Sequence, residues 1–178
     1  MEKQLTSETI YDGKIIHVVK DKVEAYNGNP ATREVVYHHG GVCILAIEEG
    51  CILLVKQYRY PFREDTIEIP AGKLEKDENP DEAAYREFEE ETNRRAENMK
   101  FLFDCYPTPG YCSEVLHIYQ AINFKEVNDS LEADLDEDLH LIKMPIDQAY
   151  QAIFKGQIKD AKTIIAIMYI YANKEKLL

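Results

Sequence analysis

For most of its first seventy positions the chain places apolar and β-branched residues in short runs broken by turn formers, the pattern of strands. KIIHVVKDKVEAY at 14–26 and TREVVYH at 32–38 read as two strands, and the NGNP between them carries Asn-Gly, a strong hairpin signal. VCILAIEEGCILLVKQYRY at 42–60 reads as two apolar strands joined around Glu49 and Gly50, followed by a short strand, TIEIP, at 66–70. Strands resume with KFLFDCY at 100–106 and VLHIYQAI at 115–122, separated by the loop PTPGYCSE, and again with HLIKM from 140. Three stretches predict helices instead: 80–92, 146–156 and roughly 160–175, the last with Ile164, Met168 and Tyr171 on one apolar stripe. No repeat or low-complexity linker interrupts the series. The expectation is a mixed α/β (α+β) chain with helices packed on a β core.

The first helix is marked at both ends. Asn79 suits the N-cap, Pro80 the first helical position and Glu82 the third, where its carboxylate could return a bond to the cap. Ala83, Ala84 and Phe88 can face a core, Asn93 can take the left-handed conformation that ends a helix, and Arg94 and Arg95 suit the negative end of its dipole.

Composition narrows the partners. The 178 residues carry a net charge of −12, which repels nucleic acid and anionic membrane, so a phosphate ligand needs local lysine, arginine or bound metal. No CxxC pair occurs among Cys43, Cys51, Cys105 and Cys112, and buried free thiols are expected. The N-terminus lacks a signal-peptide pattern, and the longest nearly apolar run, TIIAIMYIYA at 163–172, is short of the roughly 20 residues that span a bilayer. A cytoplasmic protein is expected.

The candidate chemistry lies in REFEEETN at 86–93, which sets four glutamates into five positions. On a helix Glu87 and Glu91 stack, Glu90 sits beside both, Glu89 points away to solvent, and Arg86 can reach Glu90 at i, i+4. That leaves Glu87 and Glu91 converging without a sequence-local cation. Two readings are open: a solvated acidic face, or a site for a hard divalent cation such as Mg²⁺, which takes one or two carboxylates, waters and substrate phosphates.

Gly72, Glu78, Arg86, Glu87, Phe88, Glu90 and Glu91 reproduce the spacing G-x5-E-x7-R-E-U-x-E-E, which resembles the box of Nudix hydrolases, enzymes that split a diphosphate linked to another moiety. The resemblance implies a Nudix-type α/β/α sandwich with a mixed sheet. It also implies a metal, Mg²⁺ with Mn²⁺ as a possible substitute, on the Ala71 carbonyl, Glu87 and Glu91. Glu90 would join the metal and water network, and Arg86 would orient the glutamates. Two positions depart from the pattern: Asn93 stands for a glycine and Arg94 for an apolar residue, which leaves less to pin the helix end.

Outside the box, TREVVYHHGGVCILA, KQYR, EIPAGKLE and TPGYCSE resemble the ADP-ribose pyrophosphatase branch in order and spacing. The branch implies hydrolysis of ADP-ribose to AMP and ribose 5-phosphate. It implies substrate contacts from Arg33, Arg59 and the loop at Pro109 and Gly110, with Tyr11 a weaker aromatic candidate. It also implies a homodimer with a composite site, in which residues 1–40 form an N-terminal antiparallel β extension and 41–178 the Nudix domain. The general base would come from the acidic segment LEADLDEDL at 131–139, Glu137 first and Asp136 second. An EF-hand there is rejected, because its sixth and twelfth positions would be Leu139 and Pro145. The alternatives are another nucleotide sugar, such as GDP-mannose, or a non-catalytic nucleotide-binding module.

Overall fold

The N-terminal run forms a sheet of its own. Strands β1 (Lys3–Asp12), β2 (Ile16–Glu24) and β3 (Pro30–His38) pair antiparallel in that order in the computed structural model, which describes residues 1–129, 131 and 138–174. The predicted hairpin turn lies at 25–29, where the Gly28 amide donates to the Ala25 carbonyl at 2.8 Å and Gly28 takes a φ of +80° that disfavours a side chain. Strand β1 was not legible in the pattern: every residue in it is exposed, Leu5, Ile10 and Tyr11 included. With no buried face, nothing selected an alternation.

The remaining strands are β4 (Gly41–Leu45), β5 (Ile47–Glu48), β6 (Cys51–Arg59), β7 (Glu64–Glu68), β8 (Ala71–Lys73), β9 (Arg94–Cys105), β10 (Leu116–Glu126) and β11 (His140–Pro145). One sheet runs β8-β4-β10-β9 and is mixed, since β10 lies parallel to β4 and the other pairs are antiparallel. A second runs β11-β6-β5, with β7 also on β6. The β5–β6 turn is made by Glu49 and Gly50, both at positive φ, as a tight hairpin of this kind requires.

Strand β4 decides the layering. It is buried along its whole length, and successive side chains of a strand point to opposite faces. Val42 and Ile44 therefore pack with Ala83, Ala84 and Phe88 of α1 (Pro80–Thr92). Cys43 and Leu45 pack on the other side with residues of α2 (Ile146–Phe154) and α3 (Ala161–Ala172). This is the expected α/β/α sandwich, α1 on one face and α2 with α3 on the other.

Helix α3 uses a different face from the one predicted. Thr163, Ala166, Ile167 and Ile170 are buried, whereas Met168 and Tyr171 of the predicted stripe are exposed, Tyr171 stacking on Tyr150 with centroids 3.9 Å apart. The helix is apolar nearly all round, so periodicity alone did not choose the face. All four cysteines are free thiols, and only Cys43 is fully buried. Among the described residues no helix is long and apolar enough to cross a membrane.

Candidate active site

Helix α1 begins and ends where its signals placed it. The Asn79 side chain accepts from the Asp81 amide at 3.0 Å, and Asn93 adopts the left-handed conformation with φ 54° and ψ 35°. The substituted Arg94 pins the helix end rather than loosening it. It is buried, donates to the Thr92 carbonyl at 2.8 Å and forks onto Glu48 at 3.2 and 3.3 Å; Lys143 meets the same carboxylate.

Glu87 and Glu91 follow Ala83 by four and eight residues, so they lie on the same sheet-facing side of the helix as the buried Ala83, Ala84 and Phe88 and meet β8 at the β4–β8 edge. The Ala71 amide of β8 donates to Glu91 at 2.9 Å. Gly72 lies directly under Glu87: a Cβ at position 72 would fall 1.8–2.1 Å from the Glu87 carboxyl atoms. A glycine is needed there because the carboxylate occupies the space of a side chain. Gly41 across the strand pair is constrained in the same way, since its Cβ would meet the Gly72 carbonyl oxygen at 2.7 Å.

Arg86 sits among three carboxylates. It forks onto Glu78 with both bonds at 3.0 Å and donates from Nη1 to Glu87 at 2.8 Å and Glu90 at 2.9 Å. Glu87 thus has a cation one residue away, contrary to the expectation from helical facing, because the arginine's long side chain curls back over its neighbour. Burial works against the Arg86 cation, but Glu78 and Glu87 outweigh it and raise its pKa. Glu78 is held below its usual range by Arg86, against the pull of burial, with help from the Glu75 amide. Among the described residues, Glu78, Glu87, Glu90, Glu91 and Arg86 together carry a formal charge of −3. That surplus suits a cation.

The donor set is all oxygen, the chemistry of a hard divalent ion. Among the described residues, no three His, Cys, Asp or Glu side chains close into a ready-made metal cage. Two glutamates and a backbone carbonyl, completed by water and substrate phosphate, match how Mg²⁺ is commonly held. The residues present therefore fit a divalent cation at Ala71, Glu87 and Glu91.

Glu89 does not face solvent as expected. It is buried and forks onto Arg95 at 2.6 and 2.8 Å, and Arg95 holds its carboxyl below the usual carboxylate range against the pull of burial. Glu137 and Asp136, the expected bases, lie outside the described residues.

The other expected contacts occupy two places. Arg59, at the end of β6, forks onto Glu68 with both bonds at 2.7 Å. Burial acts to raise the Glu68 carboxyl, and Arg59 and Lys162 override it, holding it at about 2. Glu68 opens the EIPAGKLE stretch that carries the resemblance, but no sequence signal marked its burial or its partner Lys162, which is 94 residues away. Arg33, on β3, pairs with Glu2 at 2.5 and 3.0 Å. The Pro109–Gly110 loop joins the same strand: the Val36 amide donates to the Tyr111 carbonyl at 2.8 Å and the Ser113 amide to the Val36 carbonyl at 2.9 Å. Tyr11 is exposed on β1.

Comparison with known proteins places the whole chain. Residues 37–166 match the NUDIX domain family, and residues 2–36 match the nucleoside diphosphate sugar hydrolase N-terminal domain. A Bacillus methanolicus protein named methanol dehydrogenase activator is 40% identical over 170 residues, covering 95% of this chain and 92% of that one. The ADP-ribose pyrophosphatase of Bacillus subtilis is 38% identical with the same coverage. A solved structure titled as an ADP compounds hydrolase superposes with a TM-score of 0.86 over 99% of this chain and 96% of that one; at 22% identity it speaks to the fold alone. The box geometry and the family match together show that the chain belongs to the Nudix hydrolase family.

Proposed function

We propose that this protein is a Mg²⁺-dependent ADP-ribose diphosphatase that yields AMP and ribose 5-phosphate. The observation that carries the proposal is the convergence of Glu87 and Glu91 on the Ala71–Gly72 strand, in a chain whose relative at 38% identity is named ADP-ribose pyrophosphatase. A bound Mg²⁺, with Mn²⁺ able to substitute, supplies charge neutralisation and orientation of the diphosphate. Glu87, Glu91 and the Ala71 carbonyl hold it. Arg86 keeps Glu87 and Glu90 in place, Glu90 orders the adjoining water, and Glu137, with Asp136 second, takes the proton of the attacking water. Arg59 binds phosphate. Arg33 and the Pro109–Gly110 loop contact the nucleoside.

The same reading makes residues 1–40 a β extension and 41–178 the catalytic domain of a cytoplasmic homodimer. It is supported by the fully exposed β1, whose Leu5, Ile10 and Tyr11 would gain cover from a second copy. The specificity constants for ADP-ribose and GDP-mannose test the substrate: a higher value for GDP-mannose overturns the ADP-ribose assignment. The Bacillus methanolicus relative motivates a second reading, stimulation of a dehydrogenase; methanol oxidation by a purified methanol dehydrogenase, with and without this protein, tests it.

A further inference from the structure

A group of buried charges apart from the acidic helix gathers around Glu68, the last residue of β7 and three positions before Ala71. Only 2% of Glu68 is exposed. Besides the Arg59 fork, its carboxylate takes the Thr66 hydroxyl at 2.6 Å and the Lys162 ammonium. Lys162 meets Asp160 at 3.0 Å, and Asp160 caps α3 by accepting from the Thr163 amide at 2.9 Å and its hydroxyl at 2.6 Å. The Thr163 hydroxyl oxygen in turn accepts the Ile69 amide at 2.8 Å. The network therefore grips the strand that leads into Ala71.

One cation would be enough to keep a buried carboxylate paired, and Glu68 has two. Of the four charged side chains, those of Glu68, Lys162 and Asp160 are 3%, 11% and 21% exposed, while that of Arg59 is 40% exposed. A guanidinium is a rigid plane with five N–H donors. With Nε and Nη2 committed to Glu68, the edge left for another ligand is Nη1 with the second Nη2 hydrogen. Glu91 lies close enough for its charge to act on Arg59.

We propose that Glu68 and Lys162 are positioning residues, a buried clamp that fixes the Arg59 guanidinium and turns its free edge toward a phosphate of the diphosphate substrate. This inference rests on the diphosphate reading above. Glu68→Gln keeps the shape and one acceptor, and Lys162 remains paired with Asp160, so the variant is expected to fold.

The test is a double-mutant cycle of Glu68→Gln with Arg59→Ala. It is read as ADP-ribose affinity by calorimetry in EDTA and as KM and kcat with Mg²⁺. Glu68→Gln alone should weaken binding about tenfold, the scale of a hydrogen bond to a charged group. On the Arg59→Ala background the same change should alter binding less than twofold, because its route of action is gone. An undiminished effect on that background, or unchanged affinity in the single variant, overturns the clamp. Should Glu68→Gln fail to fold, Glu68→Asp, which keeps the charge but shortens the reach, is read by the same criteria. Wild-type protein active only on another nucleotide sugar refutes the ADP-ribose assignment, and the cycle is then read on that sugar; wild-type protein that binds none overturns both.

Discussion

Gly72→Ala separates the site from the fold. The added Cβ would sit 1.8 Å from the Glu87 carboxyl carbon, whereas carbon atoms pack at about 3.5 Å, so the carboxylate must move by about 1.7 Å. The obstacle is the end of a flexible side chain, and Gly72 is not among the glycines at positive φ, so the backbone accepts alanine. The displaced Glu87 would leave Arg86, a bond of 2.8 Å, at about 1–2 kcal/mol for a charge-assisted contact. For a chain of this length that is a melting shift of roughly 2–8 °C. The expected effect on catalysis is far larger: misplacing a ligand by more than 1 Å lowers kcat/KM by at least about 100-fold. Mn²⁺ affinity by electron paramagnetic resonance should fall in parallel. A variant with wild-type Mn²⁺ affinity and activity would refute the placement of the metal on Glu87.

Three further outcomes follow from the same contacts. Glu91→Gln keeps an oxygen to accept the Ala71 amide but removes the charge, so it should fold normally and lose at least about 100-fold in kcat, read by steady-state kinetics beside circular dichroism. Arg94→Leu restores the family's apolar residue but strands Glu48 with Lys143 alone and frees the Thr92 carbonyl, and should lower stability by about 2 kcal/mol in urea unfolding; a more stable variant would contradict the anchoring role. Glu68, held at about 2 in the folded state against 4.5 for the free group, contributes stability fully present above pH 4.5 and lost as pH falls toward 2. At about 1.4 kcal/mol per unit that is at most about 3 kcal/mol, and the acid limb of the unfolding free energy should flatten in Glu68→Gln.

What the chain declared in advance was whatever depends on near neighbours. Asn79, Pro80 and Asn93 bound α1 through contacts within a few residues, and the helical period put Glu87, Glu90 and Glu91 on one side. What stayed hidden depends on where long side chains fold back, as Arg86 does onto Glu87, and on partners far along the chain. Glu89 looked solvated because the helical period does not show the Arg95 side chain folding back onto it from beyond the helix cap. Glu68 gave no sign of burial because its neutralising Lys162 arrives from α3. The face of α3 was misread because a helix apolar on all sides leaves the choice to its neighbours.

Metal-dependent cleavage of the diphosphate can be measured by incubating the wild-type protein with ADP-ribose, with and without Mg²⁺, and separating the products by anion-exchange chromatography. AMP and ribose 5-phosphate should form in equal amounts, and only when the metal is added. ADP-ribose left intact in the presence of Mg²⁺, or cleavage that proceeds unchanged in EDTA, would contradict the proposed activity.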